Sequence, residues 1–228
     1  MRKQPPSFAD GGIYERRKMK LGEIKTEAML LMFPDIDLEV AADAEYGKDG
    51  SGLLLALASD TNYTAYMKAM PGAINRCFSY LEGYGAIPQK SVKLTNPKCA
   101  GSVLRYEMPK GVFCPERVVY CDGDRIIGTE FDTLAGDYLV VDNRGDGEYI
   151  LIYTPYVERV SVKTDDMSEV DLPDALCCII PYFLKSELFV NEDAEEAASA
   201  RAMFERSLET LTLGMRARSC DYERVYSI

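Results

Sequence analysis

The sequence predicts an α+β fold in which helices from both chain ends form a small bundle, with an antiparallel β-sandwich or barrel inserted between them. The first observation is a change in the spacing of apolar residues along the chain. Apolar residues recur every three or four positions up to about residue 88 and again from residue 171, whereas they alternate in between. The second is a stretch over residues 172–190 that is apolar on nearly every side, as is typical of a central helix.

The pattern divides the chain into five segments. Residues 1–20 form a basic arm, residues 21–88 the N-terminal helices, residues 89–170 the β-domain, residues 171–213 a C-terminal helical hairpin and residues 214–228 a tail. In the first helix Leu21, Ile24 and Ala28 share one face. In the second helical region we expect Pro71 to kink or divide the helix, because proline removes a helical hydrogen bond.

Short alternating stretches such as SVLRYEM, DYLVVD and GEYILIYTPY, separated by turn signals, predict the β-domain. CDGD predicts a two-residue hairpin turn. NRGDG predicts a tight hairpin loop, in preference to an adhesion motif at Arg144, Gly145 and Asp146. A calcium loop fails there because Arg144 occupies a ligand position and Tyr153 stands where a bidentate glutamate belongs.

Capping and breaking residues define the C-terminal hairpin. Asp171 is expected to cap its first helix. Pro181 lies at the centre of that helix and is expected to kink it, so Pro181 and Pro71 are the two predicted structural hinges. Asn191 or Asp193 can cap the last helix, and Gly214 is expected to end it.

Charge and composition restrict the function. Lysine and arginine number 26 against 37 aspartates and glutamates, a net charge of −11 that disfavours wrapping nucleic acid. We expect no signal peptide and no membrane span, because no apolar run is long enough. Seven cysteines without a CxxC pair, and no histidine, indicate reduced thiols and no zinc site. We therefore expect no catalytic, cofactor or metal residues; a histidine-free hydrolase is a third option after the two functions below.

Both chain ends carry candidate partner-binding residues, since arginine and tyrosine are enriched at interface hot spots. We expect the two ends to be disordered in the free protein and to fold on a partner. The alternatives are a solvated charge run and frayed termini without a role. The candidates are Arg16, Arg17 and Lys18 in the arm, and Arg216, Arg218, Tyr222, Arg224, Val225, Tyr226 and Ile228 in the tail.

Four stretches together resemble a known family. They are MKLGEIKTEAMLLMF, DTNYTAYMKAMPGAINRCFSYLEG, EVDLPDALCCIIPYFLKSELF and NEDAEEAASARAMFERSLETL, with a β-rich insert before DLPD. In this order they resemble the head–tail connector (neck adaptor) proteins of tailed bacteriophages, which are similar to tubular tail proteins. The resemblance covers about residues 19–214, and its most specific part is DLPD…IPYFLKSELF…NEDAEEAASARAMFE.

The resemblance implies a structural virion protein with no enzymatic activity and no cofactor. It implies a homo-oligomeric ring, typically dodecameric, that docks on the portal protein, meets downstream tail or neck proteins and extends the DNA channel without binding DNA specifically. The location would be the virion neck, after synthesis in the bacterial host cytoplasm. The residues leave open an alternative of another class, a carbohydrate-binding β-sandwich module whose tyrosines would stack on sugars.

Overall fold

The structure, a computed structural model, is a mixed α/β protein and describes residues 18–33, 61–123 and 125–225. Of residues 61–63, 100 and 215–225 it describes the backbone but not the side chains. Two described helices precede the strands, α1 (Leu21–Met32) and α2 (Thr61–Tyr84). Three follow them, α3 (Asp174–Cys177), α4 (Ile180–Leu188) and α5 (Ala194–Val225).

Eight described strands lie between the helices, where the alternating pattern predicts them. They are β1 (Lys90–Lys93), β2 (Lys98–Ala100), β3 (Val103–Glu107), β4 (Val112–Asp122), β5 (Arg125–Thr129), β6 (Phe131–Leu134), β7 (Tyr138–Asp142) and β8 (Glu148–Pro155). They form two antiparallel sheets, in the orders β1-β8-β4-β5 and β2-β3-β7-β6. Neither described sheet closes into a barrel, so the barrel alternative is wrong.

Helices from the two ends of the chain share one hydrophobic core. α4 contacts α1, α2 and α5, and Phe183 and Leu184 are almost fully buried in it. The ring of Phe183 packs against Tyr80 of α2 and Phe204 of α5, with centroid distances of 6.0 Å and 5.1 Å. The prediction that the apolar stretch provides a central helix is therefore confirmed.

The apolar stretch is two helices rather than one kinked helix. α3 ends at Cys177, and Pro181 stands in the first turn of α4. In the first turn a proline costs no hydrogen bond, whereas in a continuous helix its ring would clash with the Cys177 carbonyl. The structure therefore interrupts the helix at Cys178 and Ile179, directly before Pro181, and the role of Pro181 as a hinge stays a prediction. α2 continues through Pro71 as a single helix, so the helix does not divide there.

Two further expectations about the C-terminal helices need correction. The residue directly before α3 is Pro173, not Asp171, and its side chain makes no hydrogen bond to the first turn of the helix. The Asp171 carboxylate binds two lysines instead, as described below. α5 continues past Gly214 to Val225, so Gly214 does not end it. Of the two expected caps of α5, Asp193 is confirmed, because its carboxylate accepts hydrogen bonds from the backbone N–H groups of Glu195 and Glu196 in the first turn.

The two sheets share a second hydrophobic core. Its buried residues come from β3, β4, β7 and β8, and include three tyrosines. The ring of Tyr149 lies 5.8 Å from that of Tyr106 in the other sheet and 5.0 Å from that of Tyr120, centroid to centroid. Three of the six tyrosines of the β-domain are therefore buried between the sheets rather than displayed on a face.

The loop between β7 and β8 crosses from one sheet to the other. β7 pairs with β3 and β6, whereas β8 pairs with β1 and β4, so the hairpin expected at NRGDG is wrong. The Tyr149 hydroxyl accepts a hydrogen bond from the Arg144 N–H and donates one to the Asp142 carbonyl, both 2.8 Å long. A Cβ at Gly147 would collide with the Tyr120 ring, so the sequence needs glycine there to pass between the sheets.

Polar side chains of α2 hold the chain where it leaves the sheets. The Asn75 amide donates to the Val160 carbonyl at 2.8 Å and accepts from the Val160 N–H at 2.9 Å. The Glu82 side chain, 2% exposed, forms an ion pair with Arg159. It also accepts a hydrogen bond from the Val157 N–H at 2.9 Å. These contacts fix the β-domain to the helical core.

Candidate functional site

The described part of the basic arm is fixed beside β1. The ammonium groups of Lys18 and of Lys90 in β1 lie 2.8 Å and 2.7 Å from the Asp171 carboxylate. Their hydrogen bonds, that of Lys18 first, lower the pKa of Asp171 to about 2. Arg16 and Arg17 lie outside the described residues. The basic arm therefore joins the body of the protein next to the outer edge of β1.

α5 continues past the last of its residues whose burial is described. Thr212 is the last buried residue of α5 whose side chain is described, and Leu213 is 59% exposed. The helical backbone then continues to Val225, over a length of roughly 20 Å at 1.5 Å per residue. The structure thus gives residues 214–225 as helix rather than as the disordered tail that we expected.

Most of the predicted tail residues lie on this helical extension. Because side chains beyond Gly214 are not described, no contact is assigned to any of them. On the extension are Arg216, Arg218, Tyr222, Arg224 and Val225, while Tyr226 and Ile228 lie outside the described residues.

One side of the β-domain carries a row of lysines, because β1 and β2 are the outermost strands of their sheets there. We call Lys90, Lys93 and Lys98 the lysine edge. Lys93 forms an ion pair with Glu148 of the adjacent strand β8, and Lys98 one with Glu107 of the adjacent strand β3. The carboxylates of Glu148 and Glu107 therefore lie on the second strand of each sheet, whereas the lysines lie on the outermost strand. Lysines on edge strands disfavour pairing with arbitrary strands.

The opposite side of the β-domain differs in charge and in polarity. There β5 and β6 are the outermost strands, and Glu130 alone connects them. We call Glu130 and Asp132, both exposed, the acidic edge. Ile126 and Ile127 of β5 are 55% and 39% exposed, although they point to opposite faces of the strand. β5 is thus an edge strand with exposed apolar side chains on both faces and no lysine.

A cleft of about 550 Å³ opens on the acidic edge between the two sheets. Four carboxylates and the guanidinium of Arg117 line it; the carboxylates are those of Glu116, Glu130, Asp132 and Asp142. Thr129 also lines the cleft and is only 6% exposed. The Thr129 hydroxyl has no hydrogen-bond partner among the described residues. A buried hydroxyl without a partner is uncommon in folded proteins.

The carboxylates of the acidic edge differ from those facing the lysine edge in their partners. Within the described residues, no lysine or arginine forms an ion pair with Glu130, Asp132 or Asp142. On the lysine edge, by contrast, each lysine has a carboxylate partner. With four carboxylates and one guanidinium in its lining, the cleft has an excess of negative charge, which suits a cationic partner.

The described residues offer little for catalysis. They include no group of three or more cysteine, aspartate or glutamate side chains placed to hold a metal ion. Burial raises the pKa of the Cys177 thiol to about 12 and raises that of Cys77 as well. Such thiols are inert at neutral pH, since the thiolate is the nucleophile. No described helix is both long enough and apolar enough to cross a membrane.

Sequence reasoning missed the two charged edges. Lys93, Lys98, Glu130 and Asp132 are ordinary surface residues in the sequence, because their grouping depends on strand order. One signal was present: the adjacent isoleucines in RIIGT break the alternation expected of a strand with one exposed face.

Comparison with known protein families finds no family model that matches the chain, and comparison with curated proteins finds no significant match.

Proposed function

We propose that this protein is a ring-forming head–tail connector of a tailed bacteriophage, with a helical bundle that carries a β-sandwich. In this role it docks on the portal and extends the DNA channel towards the tail. The observation that carries the proposal is the outline of the fold. Helices from both chain ends share one core around α4, and the strands between them form a second core. This outline agrees with the order of helical stretches and β-rich insert on which the family resemblance depends.

The extension of α5 supports a docking role. The helical backbone runs roughly 20 Å past its last described core contact, and the sequence of that stretch is rich in arginine, a residue enriched at interface hot spots. Such a segment is stabilised when a partner covers it. We propose that residues 214–228 bind the portal or the neighbouring subunit, as we propose for Arg16 and Arg17 in the arm.

The charge of the protein also suits a channel component. With a net charge of −11, the ring would present few sites to which DNA phosphates bind, so that DNA could pass without being retained. The proposed location is therefore the neck of the virion, and the proposed activity is structural rather than enzymatic.

The carbohydrate-binding alternative has less support from the tyrosines. Tyr106, Tyr120 and Tyr149 are buried between the sheets, and the ring of Tyr138 lies under the guanidinium of Arg105 at 3.6 Å. Tyr156 is 56% exposed, and its ring lies 5.2 Å from that of Phe113, centroid to centroid. This exposed aromatic pair is the surface on which a sugar would stack in the alternative proposal.

Truncation after Leu213 tests the docking role. The truncated chain keeps every buried core residue described, so we expect its thermal midpoint to stay close to that of the full chain. We expect its binding to the purified portal, measured by cosedimentation, to weaken at least tenfold. Equal portal binding by the two chains would show that the C-terminal extension is not the anchor, and no portal binding by the full chain would refute the connector.

A further inference from the structure

The two charged sides of the β-domain stand at opposite ends of the same sheets. β5 and β6 share one side because a single residue, Glu130, connects them. β1 and β2 are the opposite outermost strands of those sheets. The two sheets are stacked, as the contact between Tyr106 and Tyr149 across their common core demonstrates. A positive edge and a negative edge therefore face in opposite directions, about three strand spacings or roughly 15 Å apart.

Opposite charges on opposite sides favour head-to-tail association. A twofold dimer would bring like edges together, since a twofold interface places the same surface patch on both subunits. A heterologous contact places the lysine edge of one copy against the acidic edge of the next. Repetition of that contact around an axis closes a ring.

We propose that the acidic edge, with its cleft, is the docking surface for the lysine edge of a second copy of this chain. This inference rests on the proposed ring and names the contact that closes it. A lysine entering the cleft would meet carboxylates that have no ion-pair partner among the described residues. Thr129, whose buried hydroxyl has no hydrogen-bond partner among the described residues, lines the same cleft.

Lys93 and Lys98 can exchange their present carboxylate partners for those of a neighbouring copy. Lys93 and Lys98 are 55% and 70% exposed, and their present partners Glu148 and Glu107 are 57% and 75% exposed. Exposed ion pairs contribute little to stability, so a lysine can leave its own carboxylate for that of a neighbour at low cost.

Apolar surface on the acidic edge gives the contact a second component. Ile126, Ile127 and Leu134 are 55%, 39% and 49% exposed there. β5 carries no lysine, although Arg125 at its start is exposed. An edge strand with exposed apolar side chains is an aggregation hazard unless something covers it.

Paired charge reversals test the inference. The acidic-edge variant carries Glu130→Lys and Asp132→Lys, and the lysine-edge variant carries Lys93→Glu and Lys98→Glu. A control matched to the lysine-edge variant carries the same charge change away from both edges, Lys110→Glu and Lys163→Glu. We expect sedimentation velocity to show assembly of the wild-type chain and of the control. Each edge variant alone is expected to sediment as the monomer, because its two edges then repel each other.

Mixing the two edge variants is the decisive experiment. An equimolar mixture restores one native and one charge-swapped contact, so we expect alternating subunits to assemble again. If the single variants assemble as the wild type does, or the mixture stays monomeric, the inference is overturned. A wild-type ring with unaffected variants would leave the connector proposal standing and place the contact elsewhere. A wild-type chain that never self-assembles would overturn both.

A milder variant covers the case in which the reversals impair folding. Glu130→Gln with Asp132→Asn removes charge without introducing repulsion, and its thermal midpoint should match that of the wild type. We expect it to raise the concentration needed for half-maximal assembly about tenfold at low salt. An unchanged concentration would contradict the inference.

Discussion

The ion pair between Glu82 and Arg159 gives a quantitative test of how the β-domain is held to the helices. The Glu82 side chain is 2% exposed, whereas that of Arg159 is 39% exposed. The two single substitutions therefore have different consequences. Arg159→Ala leaves a buried carboxylate whose remaining described hydrogen bond comes from the Val157 N–H. Glu82→Ala leaves an arginine that water can reach.

The magnitudes follow from this asymmetry. Breaking a buried pair costs roughly 3–5 kcal/mol when the charge left behind is buried. We expect Arg159→Ala to destabilise the protein by about 3 kcal/mol, at the low end because Arg159 is partly exposed. Glu82→Ala removes the acceptor of the buried Val157 N–H, and we expect about 2 kcal/mol. For a chain of this size each kcal/mol lowers the thermal midpoint by roughly 2–4 °C.

Urea unfolding followed by circular dichroism measures both substitutions and the double variant. Glu158→Ala, an exposed neighbour, is the matched control and should change stability by less than about 0.5 kcal/mol. We expect a coupling free energy of at least about 1 kcal/mol in the double-mutant cycle. Additive effects, or an Arg159→Ala variant as stable as the control, would refute the claim that this pair fixes the β-domain to α2.

Three other predictions follow from burial and charge. Phe183→Ala should destabilise the protein by about 3–5 kcal/mol in urea unfolding, through lost burial and a residual cavity; a change below 1 kcal/mol would mean that α4 is not the central helix. In a thiol-reagent assay at neutral pH, exposed Cys178 should react quickly while buried Cys77 and Cys177 stay protected until unfolding; equal rates would contradict the described core. Because the folded pKa of Asp171 is lowered to about 2, its stabilising contribution is present above about pH 4 and is lost as pH falls towards 2. An NMR titration of that carboxyl checks this, and a midpoint near 3.8 would show that it is not paired.

Periodicity predicted the helical elements well because burial on one face leaves a direct trace in sequence. Phe204 and Leu208 share a face of α5 and are buried, as their spacing predicts. Local chemistry also predicted the cap at Asp193. These features depend on residues within a few positions of one another.

Features that depend on distant residues were not predictable in the same way. Asp171 has the sequence context of a cap, yet Lys18 and Lys90 bind its carboxylate from other parts of the chain. Pro181 looked like a kink because the sequence does not show that the preceding helix already ends at Cys177. The loop at Arg144 resembled a hairpin because its turn residues do not report which sheet each flanking strand joins.

The candidate site illustrates the same limit. The tail and arm were identified from composition, since arginines and tyrosines stand close together in sequence. The acidic edge was not, because Glu116 and Asp142 approach Glu130 only when two sheets stack. Lys93 lies on the side of the β-domain opposite the acidic edge only because of the order of the strands in the sheet.

The mass and shape of the assembled protein test the connector proposal most directly. The chain weighs 25.5 kDa, so a dodecameric ring would weigh about 300 kDa. Light scattering of the full chain, alone and with its portal, together with negative-stain microscopy, measures both properties. We predict closed rings with a central channel that stack on the portal. A particle that stays at the mass of one chain under both conditions, and shows no ring, would contradict the account.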